Sequence, residues 1–203
     1  MCSAEVSAVT QGSPFTLASG SPRRKELLAR AGFRFRVWPP DVDERPAPQE
    51  APEALVQRLA REKAHAVADA SEPGVRVLAA DTIVVLDDQI LGKPRDAADA
   101  RAMLARLSGR THRVLTGYAL VWHAGGVQEA GLEASQVHFR TLTPAEAHAY
   151  VETGESLDKA GAYAVQGRAG TFVTHIAGSR SNVIGLPMEV IVPLLARHGV
   201  LPT

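Results

Sequence analysis

Residues 15–32 read FTLASGSPRRKELLARAG, and this stretch decides the fold. Residues 15–18 are a short apolar run typical of a strand, and the apolar residues after position 26 recur at helical spacing. Between these patterns, Ser21 suits the N-cap and Pro22 suits the first helical position, while Gly32 stands where a helix should end. A strand, a turn of small residues and a helix form the opening unit of an α/β fold.

The same alternation continues along the rest of the chain. Apolar patterns predict strands at 33–38, 75–86, 90–94, 112–123 and 127–142, and helices at 52–70, 96–108, 143–154 and 187–198. Residues 155–187 are dense in glycine and predict only short strand-like pieces. We therefore predict a mixed α/β (α+β) protein, with a flexible tail at residues 1–13 and a single domain over 14–203.

Composition excludes several classes of protein. The 203 residues include 22 basic and 22 acidic side chains, a balance that argues against nucleic acid or an anionic membrane as partner. The single cysteine, Cys2, rules out a disulfide framework within the chain and fits a reducing compartment. No apolar run is long enough to span a bilayer, so the sequence predicts a soluble cytoplasmic protein.

Two arginines stand where a helix disfavours positive charge. Arg23 and Arg24 occupy the first turn, at the positive end of the helix dipole. With the hydroxyls of Ser19 and Ser21 and the free N–H groups of the helix start, they make a candidate phosphate cradle. The alternative is that both arginines are solvated or paired with acidic residues such as Glu26.

Asp81 breaks the apolar run of residues 77–86. Aspartate is depleted in strands, and a buried carboxylate needs a partner, a metal or a catalytic role. A hairpin about residues 87–89 places Lys93 opposite Asp81 or within about two residues of it. A structural ion pair, or an aspartate that caps a turn, explains the pattern equally well.

Weaker candidates complete a pattern typical of phosphoanhydride chemistry. Lys63 lies at the edge of the apolar stripe of its helix, where most lysines simply reach water, and Glu44 lies in an acidic loop. No histidine pair has the spacing of a zinc site, and no G-x-S-x-G elbow indicates a serine hydrolase. Carboxylates for a hard divalent cation, together with arginines and lysines for phosphate, favour Mg²⁺ or Mn²⁺ as a cofactor.

Five ordered blocks of sequence carry a specific resemblance. They are LASGSPRRKELL at 17–28, ADT at 80–82, LGKP at 91–94, LSGRTHRVLTG at 107–117, and DKAGAYAVQG at 158–167 followed by NVIGLP at 182–187. In these blocks the chain resembles the Maf-like nucleotide pyrophosphatases over nearly all of residues 15–195. The resemblance implies an elongated, twisted mixed sheet flanked by helices, with two lobes and a cleft, similar to the inosine triphosphatase fold.

The resemblance also implies a reaction and assigns residues to it. The reaction is hydrolysis of a nucleoside triphosphate between its α and β phosphates, with Asp81 as the catalytic carboxylate. The positions implied for phosphate and substrate are Ser19, Ser21, Arg23, Arg24, Glu44, Lys63 and Lys93. A divalent metal, Mg²⁺ or Mn²⁺, would be held by Asp81 and Glu44.

The choice of base is implied at three positions: Arg23, Thr82 and Gln166. The segments 161–166 and 182–187 are similar to those of the branch that acts on dTTP and UTP, and we expect these substrates, with modified pyrimidines among them. The alternatives are the same reaction on 7-methyl-GTP or another non-canonical nucleotide, and a non-enzymatic nucleotide-binding regulator of cell division. For an enzyme, both nucleotide-pool sanitation and division arrest fit the chemistry. A homodimer is compatible with the resemblance, although no exposed apolar stripe identifies an interface.

Overall fold

The structure is a computed structural model that describes residues 15–122 and 128–203. Its strands are β1 Phe15–Leu17, β2 Phe35–Val37, β3 Arg76–Leu86, β4 Gln89–Leu91, β5 Thr111–Trp122, β6 Gln128–Phe139 and β7 Val173–Ala177. Its helices are α1 Pro22–Arg30, α2 Pro52–Ala68, α3 Ala97–Leu107, α4 Pro144–Val151, α5 Arg180–Ile184 and α6 Met188–Arg197. The predicted tail at 1–13 and the predicted turn at 124–126 lie outside the described residues.

These strands form one mixed sheet, as the sequence predicts. Its order is β2-β1-β3-β5-β6-β7, and β4 pairs with β3 off this path. Strand β1 runs parallel to β2 and β3, whereas the other pairs are antiparallel. Helix α5 is an addition to the prediction, and Ser179 caps it by accepting a hydrogen bond from the backbone N–H of Asn182. In the part of the chain described, no helix has both the length and the apolar character that a membrane span requires.

Strand β3 has an interrupted edge. Strand β5 covers its other edge, from the pair Arg76–Trp122 to the pair Val85–Arg113. The interrupted edge pairs with β1 at residues 77–78 and with β4 at residues 84–86. No described strand pairs with the stretch between, residues 79–83, on this side. The result is a notch in the sheet, and Asp81 and Thr82 lie in it.

Alternation along β3 divides the core around this notch. Val77, Ala79, Ile83 and Val85 pack with residues of α2. On the other face, Leu78 and Ala80 pack with α1 and α6, whereas Val84 and Leu86 pack with α3 and α4. Because side chains alternate along a strand, Asp81 is on the α2 face and Thr82 is on the opposite face. Separate apolar clusters thus lie along the sheet on either side of the notch.

Gly117 lets helix α2 lie directly on the sheet. It is the residue of β5 opposite Asp81. A Cβ atom at this position would lie 2.2 Å from the carbonyl oxygen of Val56 in α2, far inside van der Waals contact. A glycine is therefore required where the helix backbone crosses the strand.

We expect Gly117→Ala to lower the free energy of unfolding by about 2 kcal/mol, because α2 must move away from the sheet. Urea unfolding measures the change. Gly92→Ala is the matched control, since no described atom lies within 4 Å of a Cβ built there. It should change stability by about 0.5 kcal/mol or less. Equal stabilities for the two variants would contradict this account of the helix–sheet contact.

Candidate active site

A cavity of about 890 Å³ opens at the notch, which is within the usual size of small-molecule sites. Its walls come from the β1–α1 turn, the loop after β2, helix α2, the end of β4 and the segments 158–163 and 183–185. Because it lies at an edge of β3, the cavity reaches both faces of the sheet. Nine of the ten predicted site positions line this cavity.

Asp81 and Lys63 form a buried ion pair on the α2 face. The Lys63 Nζ atom lies 2.6 Å from Asp81 Oδ1, and the two residues are only 7% and 8% exposed. Lysine and aspartate are rarely buried to this degree unless they are paired. Lys93, which the predicted hairpin places near Asp81, lines the cavity beyond the end of β4 and is exposed. The buried partner of Asp81 is therefore Lys63, the weakest of the sequence candidates.

Glu44, in the loop after β2, pairs with the same ammonium group. Its Oε1 atom lies 2.5 Å from Lys63 Nζ. Burial by itself would raise the pKa of Glu44, but the hydrogen bond and charge of Lys63, with the charges of Lys93 and Arg24, outweigh it and lower the pKa. Glu44 is therefore a carboxylate at neutral pH, and one ammonium group links two carboxylates.

The β1–α1 turn keeps helix N–H groups at the cavity. Ser21 is the N-cap of α1, as predicted, but its side chain makes no capping hydrogen bond within the described part of the chain. Its own backbone N–H instead donates to Ser19 Oγ at 3.2 Å. Ser19, Ser21 and Arg23 all line the cavity. This end of α1 retains the hydrogen-bond donors that an anion requires.

Arg24 connects three elements through its guanidinium group. Its Nε atom donates to the Gly185 carbonyl at 2.7 Å, Nη1 to Ser19 Oγ at 3.0 Å, and Nη2 to Thr82 Oγ1 at 3.0 Å. Burial lowers the pKa of Arg24 and the Asp81 charge opposes that effect, but an arginine remains protonated at neutral pH. In the described residues Glu26 pairs with Arg30, and the acceptors of Arg24 are those three groups.

A buried polar network continues from Thr82 into the sheet. Thr82 Oγ1 and Thr116 Oγ1 are 2.9 Å apart, and Thr116 also donates to the Asn182 carbonyl. The Asn182 amide donates to the Val114 carbonyl at 3.1 Å and to Ser135 Oγ at 2.9 Å. Thr116 and Asn182 are fully buried, so these bonds fix α5 against β5 and β6. Sequence reasoning gave neither residue a role, although both belong to the quoted blocks.

The cavity wall on the Thr82 face is mostly apolar. It includes Val84, Val114, Tyr163, Val183 and Ile184. The Tyr163 hydroxyl lies 2.8 Å from Nε2 of His112, behind this wall.

His112 is 2% exposed, and burial lowers its pKa to about 4, so the imidazole is neutral at pH 7. It also meets the ring of Phe139 edge-on, with the ring centroids 5.0 Å apart.

The segment 158–167 contributes residues to the cavity, but the predicted residue, Gln166, is not one of them. Lys159 and Asp158 line the cavity and are paired with each other. Gln166 is not among the described residues that line the cavity, and it is exposed. Its position follows from packing: Ala164 and Val165 turn inward, and the chain then emerges at residue 166.

The described residues contain no cluster of three or more histidine, cysteine, aspartate or glutamate side chains that could hold a metal ion. Asp81 and Glu44 nevertheless offer carboxylate oxygens to one cavity. Mg²⁺ is commonly held by one or two carboxylates together with phosphate oxygens of the substrate. The pair therefore fits a hard divalent cation that binds together with a phosphorylated ligand.

Comparison with known proteins adds close relatives. Residues 14–198 match the family model described as "Maf-like protein". The chain is 56% identical over 183 residues to the dTTP/UTP pyrophosphatase of Myxococcus xanthus, covering 90% of this chain and 91% of that protein. It is 54% identical to the dTTP/UTP pyrophosphatase of Anaeromyxobacter dehalogenans (90% and 93% covered) and 47% identical to that of Vibrio cholerae (87% and 93% covered).

Solved structures give weaker matches. The Ham1 protein of Staphylococcus aureus is 13% identical with a TM-score of 0.45, covering 63% of this chain and 72% of the other. The dITP/XTP pyrophosphatase of Mycobacterium abscessus is 18% identical with a TM-score of 0.40, covering 71% and 97%. Neither similarity is strong enough to indicate a function for this chain.

We expect Lys63→Met to lower the free energy of unfolding by about 3 kcal/mol, because it leaves the Asp81 carboxylate buried without its cation. The double variant Lys63→Met/Asp81→Asn removes both charges and should recover part of this loss. Urea unfolding of the two variants and the wild type measures the difference. A double variant no more stable than Lys63→Met would contradict the expected cost of leaving the Asp81 carboxylate buried without a cation.

His112 should make stability depend on pH. Its pKa in the folded protein, about 4, is below the ordinary value of 6.5, so the unfolded chain binds the proton more readily. The contribution of His112 to the free energy of unfolding is therefore complete above pH 6.5 and is lost as the pH falls toward 4. Between pH 7 and pH 5 the loss should be about 2 kcal/mol. Urea unfolding at the two pH values tests this. Between pH 7 and pH 5 the free energy of unfolding of His112→Gln should fall by about 2 kcal/mol less than that of the wild type. Equal decreases in the two proteins would refute the low pKa of His112.

Proposed function

Because the chain belongs to the Maf-like family, we propose that it is a nucleoside triphosphate pyrophosphatase acting on dTTP and UTP. The proposed reaction releases the nucleoside monophosphate and pyrophosphate. The relatives named dTTP/UTP pyrophosphatase support this proposal, since they match about nine-tenths of the chain at 47% to 56% identity. The single structural observation that carries it is the buried pair of Asp81 and Lys63 at the edge of a nucleotide-sized cavity.

The triphosphate would lie across the start of α1. Backbone N–H groups at this end of the helix, together with the side chains of Arg23 and Ser21, present donors and positive charge to phosphate oxygens. Lys93 also lines the cavity and adds positive charge to it. Arg24 already donates to three protein acceptors, so its main contribution is to hold the β1–α1 turn against Thr82 and Gly185. Charge stabilisation of this kind is the main requirement of phosphoryl chemistry.

Asp81 would act on the attacking water. Water adds to one of the two phosphorus atoms that flank the α–β bridging oxygen and its proton passes to the carboxylate. The P–O bond between that phosphorus and the bridging oxygen breaks, so pyrophosphate leaves after attack on the α phosphorus and the nucleoside monophosphate leaves after attack on the β phosphorus. Lys63 binds Oδ1 of Asp81, which fixes the orientation of the carboxylate and balances its charge. The same lysine orients Glu44, so the two carboxylates face the substrate together.

A divalent cation belongs to the proposal. Asp81 and Glu44 would hold Mg²⁺ or Mn²⁺, which, when bound, neutralises the phosphate charge. The donor set supports this part, because both ligands are oxygens and the remaining positions are left to phosphate and water.

The base would lie against the apolar wall on the Thr82 face. Arg23 and Thr82 both line the cavity and are proposed determinants of base choice. Gln166 is the third, and since it is exposed in this structure it would meet a base only if its segment moved inward. A methyl group alters binding by only about 1 kcal/mol, so one pocket could accept both uracil and thymine.

A free cytoplasmic nucleotide, not a nucleic acid, suits a cavity of this size on a chain of balanced charge. A homodimer remains compatible with the proposal.

Release of pyrophosphate from a panel of nucleoside triphosphates, with and without Mg²⁺ or Mn²⁺, tests the proposal. We expect turnover of dTTP and UTP, and a loss of about 1000-fold or more in kcat for Asp81→Asn. Asp87→Asn is the control, because that carboxylate pairs with Arg110 away from the cavity. Near-normal turnover by a folded Asp81→Asn enzyme would refute the role of Asp81, and no turnover of any nucleotide would refute the activity.

A further inference from the structure

One wall of the cavity is a loop without regular secondary structure. Residues 39–51, here called the wall loop, connect β2 to α2. Pro39, Pro40, Glu44 and Pro46 of this loop line the cavity. A segment without strand or helix bonds needs other contacts to hold a side chain such as Glu44 in one position.

Arg58 of helix α2 supplies such contacts. Its Nε atom lies 2.7 Å from Glu50 Oε1, and its Nη2 atom lies 2.8 Å from Glu50 Oε2, which is a bidentate ion pair. Nη2 also donates to the carbonyl oxygen of Arg45 at 3.2 Å, directly after Glu44 in the chain. Glu50 Oε2 in turn accepts a hydrogen bond from the backbone N–H of Ala47 at 2.9 Å. The guanidinium and its carboxylate thus bind the wall loop at three points.

The geometry makes this contact more than an ordinary surface ion pair. The Glu50 side chain is only 10% exposed and that of Arg58 is 31% exposed, so water screens the pair less than usual. A planar guanidinium that bonds both carboxylate oxygens also restricts orientation, which a lysine could not do. Arg58 and Lys63 lie five residues apart on α2, and the helix therefore holds both ends of the segment from Glu44 to Glu50.

We propose that Arg58, acting through Glu50, is a positioning residue that holds the wall loop so that Glu44 reaches Lys63 and the substrate. The inference rests on the proposed function for its effect on rate, but the placement of the loop can be measured without it. The competing explanation is that Arg58 only stabilises α2, since Glu62, its neighbour one helical turn along, also binds it at 2.9 Å.

Two variants of the partners of Arg58 separate these explanations. Glu50→Gln removes the carboxylate that lies on the loop, and Glu62→Gln removes the one that lies on the helix. We expect Glu50→Gln to lower kcat/KM for UTP by about tenfold, because displacement of a site residue by about 1 Å is enough for such a loss. Glu62→Gln should stay within about twofold of the wild type, as expected for an exposed helical pair. Equal effects of the two variants would overturn the proposal.

Epistasis with Glu44 gives a readout that a general loss of stability would not produce. If Arg58 and Glu50 act by placing Glu44, Glu50→Gln should cause no further loss in a Glu44→Gln background. Additive losses would mean that the contact acts on something other than Glu44, and would overturn the proposal.

Hydrogen exchange tests the placement directly and without catalysis. Amide exchange within residues 45–50 should rise in Arg58→Gln and Glu50→Gln and remain unchanged in Glu62→Gln. If the wild type hydrolyses no nucleotide, the proposed function fails, and exchange alone decides the placement. Unchanged exchange in Glu50→Gln would refute the placement of the loop whatever the activity.

Discussion

Strand β3 shares one of its edges between two short partners, and the site depends on the gap they leave. Strand β1 pairs with residues 77–78 and β4 with residues 84–86, while β5 covers the opposite edge throughout. Residues 79–83 therefore belong to an inner strand of the sheet, but no described strand pairs with them on one side. A carboxylate and a hydroxyl placed there can be held rigidly by the sheet and still meet a ligand, which is the combination that a catalytic group needs.

The close packing of helix α2 on the sheet explains how Asp81 can be buried. The carboxylate is 8% exposed and needs a cation, which only an element packed closely against the sheet can supply. Gly117 permits that approach because it has no side chain beneath the helix backbone. Lys63 then reaches Asp81 and also Glu44, so that a single ammonium group organises both carboxylates. Replacing the pair by apolar residues need not weaken the fold, and its presence therefore points to chemistry more than to stability.

Arg24 connects the parts of the chain that surround the cavity. Its three bonds connect the β1–α1 turn, strand β3 and the end of α5, and the Thr82–Thr116–Asn182 network carries the connection into the sheet. The end of the cavity at the start of α1 and its apolar wall are thereby parts of one hydrogen-bonded unit. Arg58 extends the same principle to the wall loop, which has no strand or helix bonds to hold it.

The sequence by itself determined the order of strands and helices apart from α5, and the candidates Arg23, Arg24 and Asp81. These features follow from local rules of periodicity, capping and charge that a short window contains. Only the tertiary structure decided that Asp81 pairs with Lys63, that Arg24 binds protein acceptors, and that Gln166 lies outside the cavity. Those outcomes depend on which residues, far apart in the chain, are packed against each other across the notch. No local pattern specifies such contacts, because the sequence contains several basic residues that could pair with Asp81. The packing of α2 on the sheet selects Lys63 among them.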